Sequence, residues 1–313
     1  MNKRILVVGT INMDLVMRTP RFPTAGETLP GEDLRMIPGG KGANQAVAVA
    51  RLGLPVMLAG RVGGDPFGDT LLQGLKRNGV DTSWVERDEE AASGTAMIIV
   101  EPTGRNTIVF ASGANGRFSL KSAAGIEKLL PQVDLVLLQL ELPLESVARV
   151  IACARSAGKP VILDAGPPCR HPLPEFFQVT VLSPNEAETE ALTGQRFRDP
   201  ESRVSAARLL LAKGPEAVVL KLGAEGALLA TQSRERLVPA FRVQVVDTTA
   251  SGDAFTAALA VALVEGKDLE EAVRMANAAG ALAATKLGAQ PSMPTRAELE
   301  AFLRSNSPFR AGS

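Results

Sequence analysis

The sequence predicts a doubly wound α/β fold: a mostly parallel central sheet flanked by helices, with a small discontinuous β-sheet lid. Three observations predict it. Apolar runs of strand length recur along the chain, helical stretches alternate with them, and two extended segments interrupt the alternation. The runs are ILVVG, VMLAG, DLVLLQL, PVILDA, VTVLS and AVVLKLG, near-continuously apolar as in a parallel sheet covered on both faces. Apolar spacing of three and four marks helices over Asp65 to Asn78, Leu144 to Ser156 (ended by Gly158) and Arg203 to Lys213. Between Thr10 and Ile37, Pro20, Pro23 and Pro30 forbid a long helix, so that segment reads as extended. Thr95 to Ala111 reads as a hairpin turning at Pro-Thr-Gly. The expectation is one domain over residues 1–313, with a lid made of about 11–37 and 94–112. A lid of this kind excludes water from reactions that water would spoil, although the same pattern also fits two plain surface hairpins. The tail from Ser305 to Ser313 reads as a frayed end.

Composition narrows the function. The 313 residues balance 34 Lys+Arg against 34 Asp+Glu, so no general attraction for nucleic acid or anionic membrane is expected. The opening MNKRILVVG holds one short apolar run without a cleavage pattern, and a cytoplasmic location is expected. Cys153 and Cys169 have no metal-type spacing and His171 is the sole histidine, which argues against a zinc site and a disulfide. His171 has no nucleophile elbow to serve, which argues against a serine hydrolase.

Four polar clusters fall at strand-to-helix junctions, the usual ligand crevice of such sheets. In DTTASGDAF, the small residues Ala250, Ser251 and Gly252 precede Asp253 where an apolar helix begins. Bare amides at a helix N-terminus bind anions, and a carboxylate beside them suits phosphoryl transfer to a hydroxyl. In PGGKGANQAVAVARLG, a glycine turn opens a helix near Ala43 and presents Lys41 and Asn44. It matches neither the dinucleotide fingerprint nor the Walker loop, whose Ser/Thr after lysine is here Gly42-Ala43. In GTINMDLV, Asn12 and Asp14 share a face of an extended segment and suit sugar hydroxyls. In SPNEAE, Asn185 and Glu188 share a first helical turn and suit magnesium held through water. Each cluster also has a structural reading: an acid in a first turn, a capped helix with a solvated lysine, or polar N-terminal caps.

These residues resemble the ribokinase family of carbohydrate and nucleoside kinases. The resemblance runs from about Ile5 to Leu303 and rests on GGKGANQA and DTTASGDAFTAALA, supported by GTINMD, QLELPLESV, SPNEAE and GAQPSMP. It implies an ATP-dependent kinase that phosphorylates D-ribose at its 5-hydroxyl. It also implies that Asp253 is the base and that Ala250, Ser251 and Gly252 form the anion hole. Asn12, Asp14, Gly40, Lys41, Asn44, Glu141 and Asp253 would then hold the sugar. Asn185, Glu188 (through Mg2+ hydration), Lys221, Gly223, Gly226, Gly252 and Asn277 would serve ATP. An activating K+ would lie by Asp247, Thr249, the backbone near Ala283, Lys286 and Gly288, and Ser292, and a homodimer would form through the lid. The sequence departs from the family at DAGPPCR (Asp164 to Arg170), where Asn-Pro-Ala-Pro-Ala is frequent. It departs again at Lys221, commonly Thr, which would meet a phosphate or point to solvent, and at Thr256-Ala257 in place of Asn-Gly. Alternatives are another acceptor (2-deoxyribose, fructose, tagatose 6-phosphate or a nucleoside), a dinucleotide oxidoreductase, and a non-catalytic sugar-binding regulator. One Trp and no Tyr give little aromatic surface for a nucleoside.

Overall fold

A computed structural model describes residues 3–197 and 199–306; the expectation for the tail falls mostly outside them. The strands are β1 (Ile5–Val8), β2 (Asn12–Arg18), β3 (Asp33–Gly39), β4 (Val56–Gly63), β5 (Asp81–Asp88), β6 (Gly94–Val100), β7 (Asn106–Ala111), β8 (Leu135–Gln139), β9 (Val161–Asp164), β10 (Val181–Ser183), β11 (Ala217–Lys221), β12 (Gly226–Thr231) and β13 (Glu235–Pro239). The α-helices are α1 (Lys41–Arg51), α2 (Pro66–Arg77), α3 (Leu120–Gly125), α4 (Leu144–Ser156), α5 (Glu186–Thr193), α6 (Pro200–Leu211), α7 (Ser251–Glu265), α8 (Leu269–Ala284) and α9 (Arg296–Ser305).

The central sheet runs β13-β12-β11-β10-β9-β8-β1-β4-β5. Its members from β11 to β5 are parallel, and only the β11–β12 and β12–β13 pairings are antiparallel. Alternate strand residues feed two cores. Ile5, Val7, Leu135, Leu137 and Val219 pack with α1, α7 and α8 on one face. Leu6, Val8, Val136, Leu138 and Leu220 pack with α4 and α6 on the other. Burial on both faces is why these strands read as unbroken apolar runs. α7 is apolar on all sides, and its alanines Ala254, Ala257, Ala258, Ala260 and Ala262 are fully buried. Such small side chains let α1 and α8 close around it.

Three strands of the sheet carry no strong sequence signal. β5 (DTSWVERD) is a polar edge strand, and β12 and β13 form an antiparallel extension past the last apolar run. The segments expected to be extended form a separate four-stranded sheet, β3-β2-β6-β7. The β6–β7 turn comes where Pro-Thr-Gly stands, with Gly104 at φ 84 in the left-handed region that glycine tolerates. α6 begins three residues before the predicted start, because Asp199 caps it ahead of Pro200.

The chain runs outward from β1 to β4 and β5 and then returns to β8 on the other side of β1. Strand order therefore reverses between β1 and β8. That switch point opens a crevice at the carboxyl ends of the strands, and the polar clusters converge on it.

Candidate active site

The head of α7 stands at the crevice. Ala250, its N-cap, lies in the left-handed region (φ 58, ψ 11) and offers no side-chain cap. The Ser251 amide turns back to the Thr248 carbonyl at 3.1 Å, so of the expected anion-hole residues Ser251 does not offer an open amide. Among the described residues no hydrogen bond engages the amides of Gly252 or Asp253. The Ser251 hydroxyl is buried without a partner, and a Cβ at Gly252 would meet nothing within 4 Å. Free donors, an orphaned hydroxyl and open space beside a helix N-terminus fit a phosphoryl group.

Asp253 is 4% exposed. Asn44 Nδ2 donates to its Oδ2 at 2.9 Å and Gln45 Nε2 to its Oδ1 at 3.1 Å. Lys41 Nζ stands 3.6 Å from Oδ1. All three donors come from the first turns of α1, whose entry at Gly40 requires φ 86. A Cβ at Gly40 would also strike the Asn12 amide at 2.8 Å, so glycine lets α1 approach β2 closely.

The small sheet supplies the rest of the sugar-type cluster. Asn12 Oδ1 accepts from Asn115 Nδ2 at 2.8 Å. Burial, reinforced by Glu141 and Asp253, pushes the Asp14 carboxyl up to about 6. Glu141 follows β8; it accepts from the Thr10 hydroxyl and, at 3.2 Å, from the Lys41 amide. Burial raises the Glu141 carboxyl above its ordinary range. Burial alone would depress the Lys41 ammonium, but Asp164, Asp253, Glu188 and Glu141 together hold it well above its usual value. Among the described residues no donor reaches the buried Asn44 Oδ1, an acceptor that a sugar hydroxyl fits.

The nucleotide-side residues divide. Asn185 and Glu188 form a closed capping box on α5: the Glu188 amide donates to Asn185 Oδ1 at 2.8 Å, and the Asn185 amide to Glu188 Oε2 at 2.7 Å. The structural reading of that motif is thus realised, and any metal contact is additional to it. Among the described residues no group of three or more His, Cys, Asp or Glu is placed to hold a metal. The Asn185 and Glu188 side chains carry the oxygen donors that magnesium takes, largely through water. Gly223 (φ 56) borders open space, whereas a Cβ at Gly226 would strike the Val238 carbonyl at 2.2 Å. Asn277 Nδ2 is engaged by the carbonyls of Val238 (2.9 Å) and Pro239 (3.2 Å), so it pins β13. Lys221 does not point to solvent: its ammonium lies 2.5 Å from Asp164 Oδ1.

Of the residues expected to hold the cation, Asp247, Thr249 and Gly288 come together. Asp247 Oδ1 accepts from the Thr249 amide and Oδ2 from the Gly288 amide, both at 2.9 Å, joining the turn before α7 to the segment after α8. Ser292 is fully buried, its hydroxyl donating to the Ala289 carbonyl at 2.7 Å. The Lys286 ammonium leaves for Glu298 at 2.6 Å, and the Ala283 carbonyl accepts from the Lys286 amide at 3.1 Å, so those two bring only backbone to the cluster. Carboxylate, hydroxyl and carbonyl oxygens are the donors a hard monovalent ion takes.

Four further residues hold the site and had no role in the sequence reading. Gln45 bridges Asp253 to Asp164, and its Oε1 accepts from Gln139 Nε2 at 2.6 Å. Asn115 ties the loop after β1 to β2, and Thr10 supports Glu141. Gln45 stands four residues after Lys41 on one helix face, the only local signal that marks it.

The comparisons agree with this architecture. A family model described as "pfkB family carbohydrate kinase" matches residues 2–296. The chain is 42% identical over 303 residues to a Bacillus subtilis ribokinase, covering 96% of this chain and 99% of the relative. It is 35% identical to a Salmonella typhimurium deoxyribokinase, with 96% and 99% covered. The solved structure of Arabidopsis thaliana ribokinase complexed with ribose and ATP superposes with a TM-score of 0.91 at 35% identity, over 97% of this chain and 99% of that one. With the family match spanning nearly its whole length, the chain belongs to the pfkB family of carbohydrate kinases.

Proposed function

We propose that this chain transfers the γ-phosphoryl group of ATP to the 5-hydroxyl of D-ribose. The observation that carries the reading is Asp253, fixed by Asn44 and Gln45 beside the open amides of Gly252 and Asp253. The base takes the hydroxyl proton, the sugar oxygen forms the new bond to phosphorus, and the bond to the β-phosphate oxygen breaks to release ADP. The amides and the buried Ser251 hydroxyl take up charge on the transferred group.

Asn12, Asp14, Glu141 and Asn44 present acceptors and donors suited to hydroxyls, and Lys41 contributes a cation close to Asp253. The relatives named above act on ribose or deoxyribose, and the cluster suits a small neutral pentose. Asn185 and Glu188 would face Mg2+, which when bound neutralises the nucleotide's phosphates. Asp247, Thr249, the backbone near Ala283, Lys286 and Gly288, and Ser292 would hold K+, which adds positive charge beside the anion hole. Two free cysteines suit a reducing cytoplasm. Among the described residues no helix is long and apolar enough to cross a membrane.

We also place a homodimer on the small sheet, acting as a lid. Register puts Met36, Leu15, Met97 and Val109 in one row across it. Met36 (63%), Met97 (59%) and Val109 (70%) are exposed on the face opposite Asp14. A row of exposed apolar side chains on a sheet is a contact surface. Light scattering should give twice the chain mass, and Val109→Asp should halve it; a monomeric wild type would refute this element.

The function is tested by an ADP-release screen over pentoses, hexoses and nucleosides, with and without K+. Ribose should give the highest kcat/KM, 2-deoxyribose being the nearest competitor. Absence of ADP release with every sugar would remove the reading.

A further inference from the structure

The two charged departures from the family pattern, Asp164 and Lys221, lie 57 residues apart in sequence and meet in the fold. They sit at the ends of β9 and β11, the strands flanking β10. Lys221 Nζ is 2.5 Å from Asp164 Oδ1 and 3.8 Å from Glu188 Oε2. The Asp164 side chain is fully buried and that of Lys221 is 12% exposed. Lys221 is also bound to the start of α5: its amide donates to the Pro184 carbonyl at 2.8 Å, and it bridges Asn185. The ammonium therefore stands beside the capping box that the proposed function assigns to the nucleotide.

Asp164 reaches the other way as well. Its Oδ2 accepts from Gln45 Nε2 at 2.9 Å and from Lys41 Nζ at 3.3 Å. Both of those groups face Asp253. A chain of polar contacts thus runs from Lys221 through Asp164 and Gln45 to the base. Burial alone would raise the Asp164 carboxyl, but Lys221 and Lys41 hold it below its ordinary range.

We propose that Lys221 is a built-in cation for the polyphosphate of the nucleotide, and that Asp164 is its positioning residue. The argument is electrostatic. Asp14, Glu141, Asp164, Glu188 and Asp253 crowd one crevice, with Lys41 and Lys221 as the cations bonded among them. A polyanion entering that crevice meets repulsion, which a buried ammonium near the phosphates offsets strongly because screening there is weak. An unpaired lysine would be costly to bury, and an unpaired aspartate would repel the ligand. The two charges belong together: losing Lys221 alone leaves a naked carboxylate facing the phosphates, and losing both returns a neutral arrangement.

The inference rests on the kinase reading, and a binding experiment without sugar separates the two. ADP is titrated calorimetrically into the wild type, Lys221→Thr, Asp164→Asn and the double variant, at fixed Mg2+. Melting temperatures are recorded as a folding control. Lys221→Thr should bind ADP at least tenfold more weakly, and the double variant should recover part of that loss but stay below the wild type, because the naked carboxylate is gone while the cation is still missing. In turnover assays Lys221→Thr should raise KM for ATP while leaving KM for ribose within about threefold. Lys221→Met, which keeps the aliphatic stem, carries the test should Asp164→Asn fold poorly. ADP affinity within twofold of wild type in both Lys221 variants overturns the proposal. Losses that simply add in the double variant overturn the pairing. Normal ADP binding without turnover on any sugar sinks the sugar-kinase reading and leaves the Lys221 result to stand on its own.

Discussion

Asn44 Nδ2 lies 2.9 Å from Asp253 Oδ2, across 209 positions of sequence. The contact joins the first turn of α1 to the first turn of α7, and it fixes one carboxylate oxygen of the base. The same Asn44 keeps its own Oδ1 buried and free for a hydroxyl. In the proposed reaction one side chain therefore orients the base and accepts from the sugar hydroxyl. Asn44→Ala should lower kcat/KM for ribose by about 10–100-fold, the range for a hydrogen bond to a charged group. Steady-state kinetics at saturating ATP would show it; a change under threefold would remove Asn44 from the account.

Asp14 predicts a pH dependence. Burial, then Glu141 and Asp253, raise its carboxyl from 3.8 to about 6. A raised acid binds its proton more tightly in the folded state, so its contribution to stability is full below about 3.8 and is lost as pH rises through about 6. At neutral pH the ionised group costs the fold on the order of 1–2 kcal/mol, after discounting for its partial exposure. Asp14→Asn should raise Tm by about 2–4 °C at pH 7. It should also weaken ribose binding at least tenfold, since a charged acceptor is lost. In the wild type, KM for ribose should rise as pH falls from 7 to 5, and in Asp14→Asn the rise should be shallower, since of the two raised sugar-side acids only Glu141 is then left to titrate. Parallel pH profiles for the two proteins would contradict the role.

Gly252 separates folding from chemistry. A Cβ there meets nothing within 4 Å, and the position is helical. Gly252→Ala should leave the fold intact or stabilise it by about 0.5–1 kcal/mol. The methyl group would nevertheless occupy space reserved for the transferred phosphoryl, so kcat should drop by tenfold or more. Unchanged kcat with a normal melting curve would show that the open space is not the anion hole.

The cation cluster makes a separate claim. Exchanging K+ for Li+ should lower kcat severalfold, and Asp247→Asn should abolish the difference between the two salts. Equal rates in both salts for the wild type would exclude an activating role for the residues around Asp247 and Ser292.

Much of this was legible in the sequence because it is local. Strands buried on both faces announce themselves as apolar runs. A glycine turn before Lys41 and Asn44, and small residues before Asp253, place functional groups at helix starts whatever the tertiary fold. What stayed hidden depends on distance along the chain. Gln139 sits inside the apolar run DLVLLQL, and its partner Gln45 is 94 residues away. Asn115 ties together groups more than 100 residues earlier, from a single 3-10 turn too short to show periodicity. Lys221 reads as a nucleotide-side residue that meets a phosphate or solvent, and its partner Asp164 emerges only from the order β9-β10-β11. The edge strand β5 was missed because its alternation carries charges on both sides. Asn185 and Glu188 show the reverse case, a local pattern whose capping reading is the one the structure realises.

The base itself offers the sharpest test. Asp253→Asn keeps the size of the side chain and removes its proton affinity. With ribose and ATP, turnover measured by ADP release should fall by about 100-fold or more, while ribose binding measured by calorimetry stays within a few-fold of wild type. Near-normal turnover in that variant would contradict the assignment of the base and, with it, the reading of the crevice as a phosphoryl-transfer site.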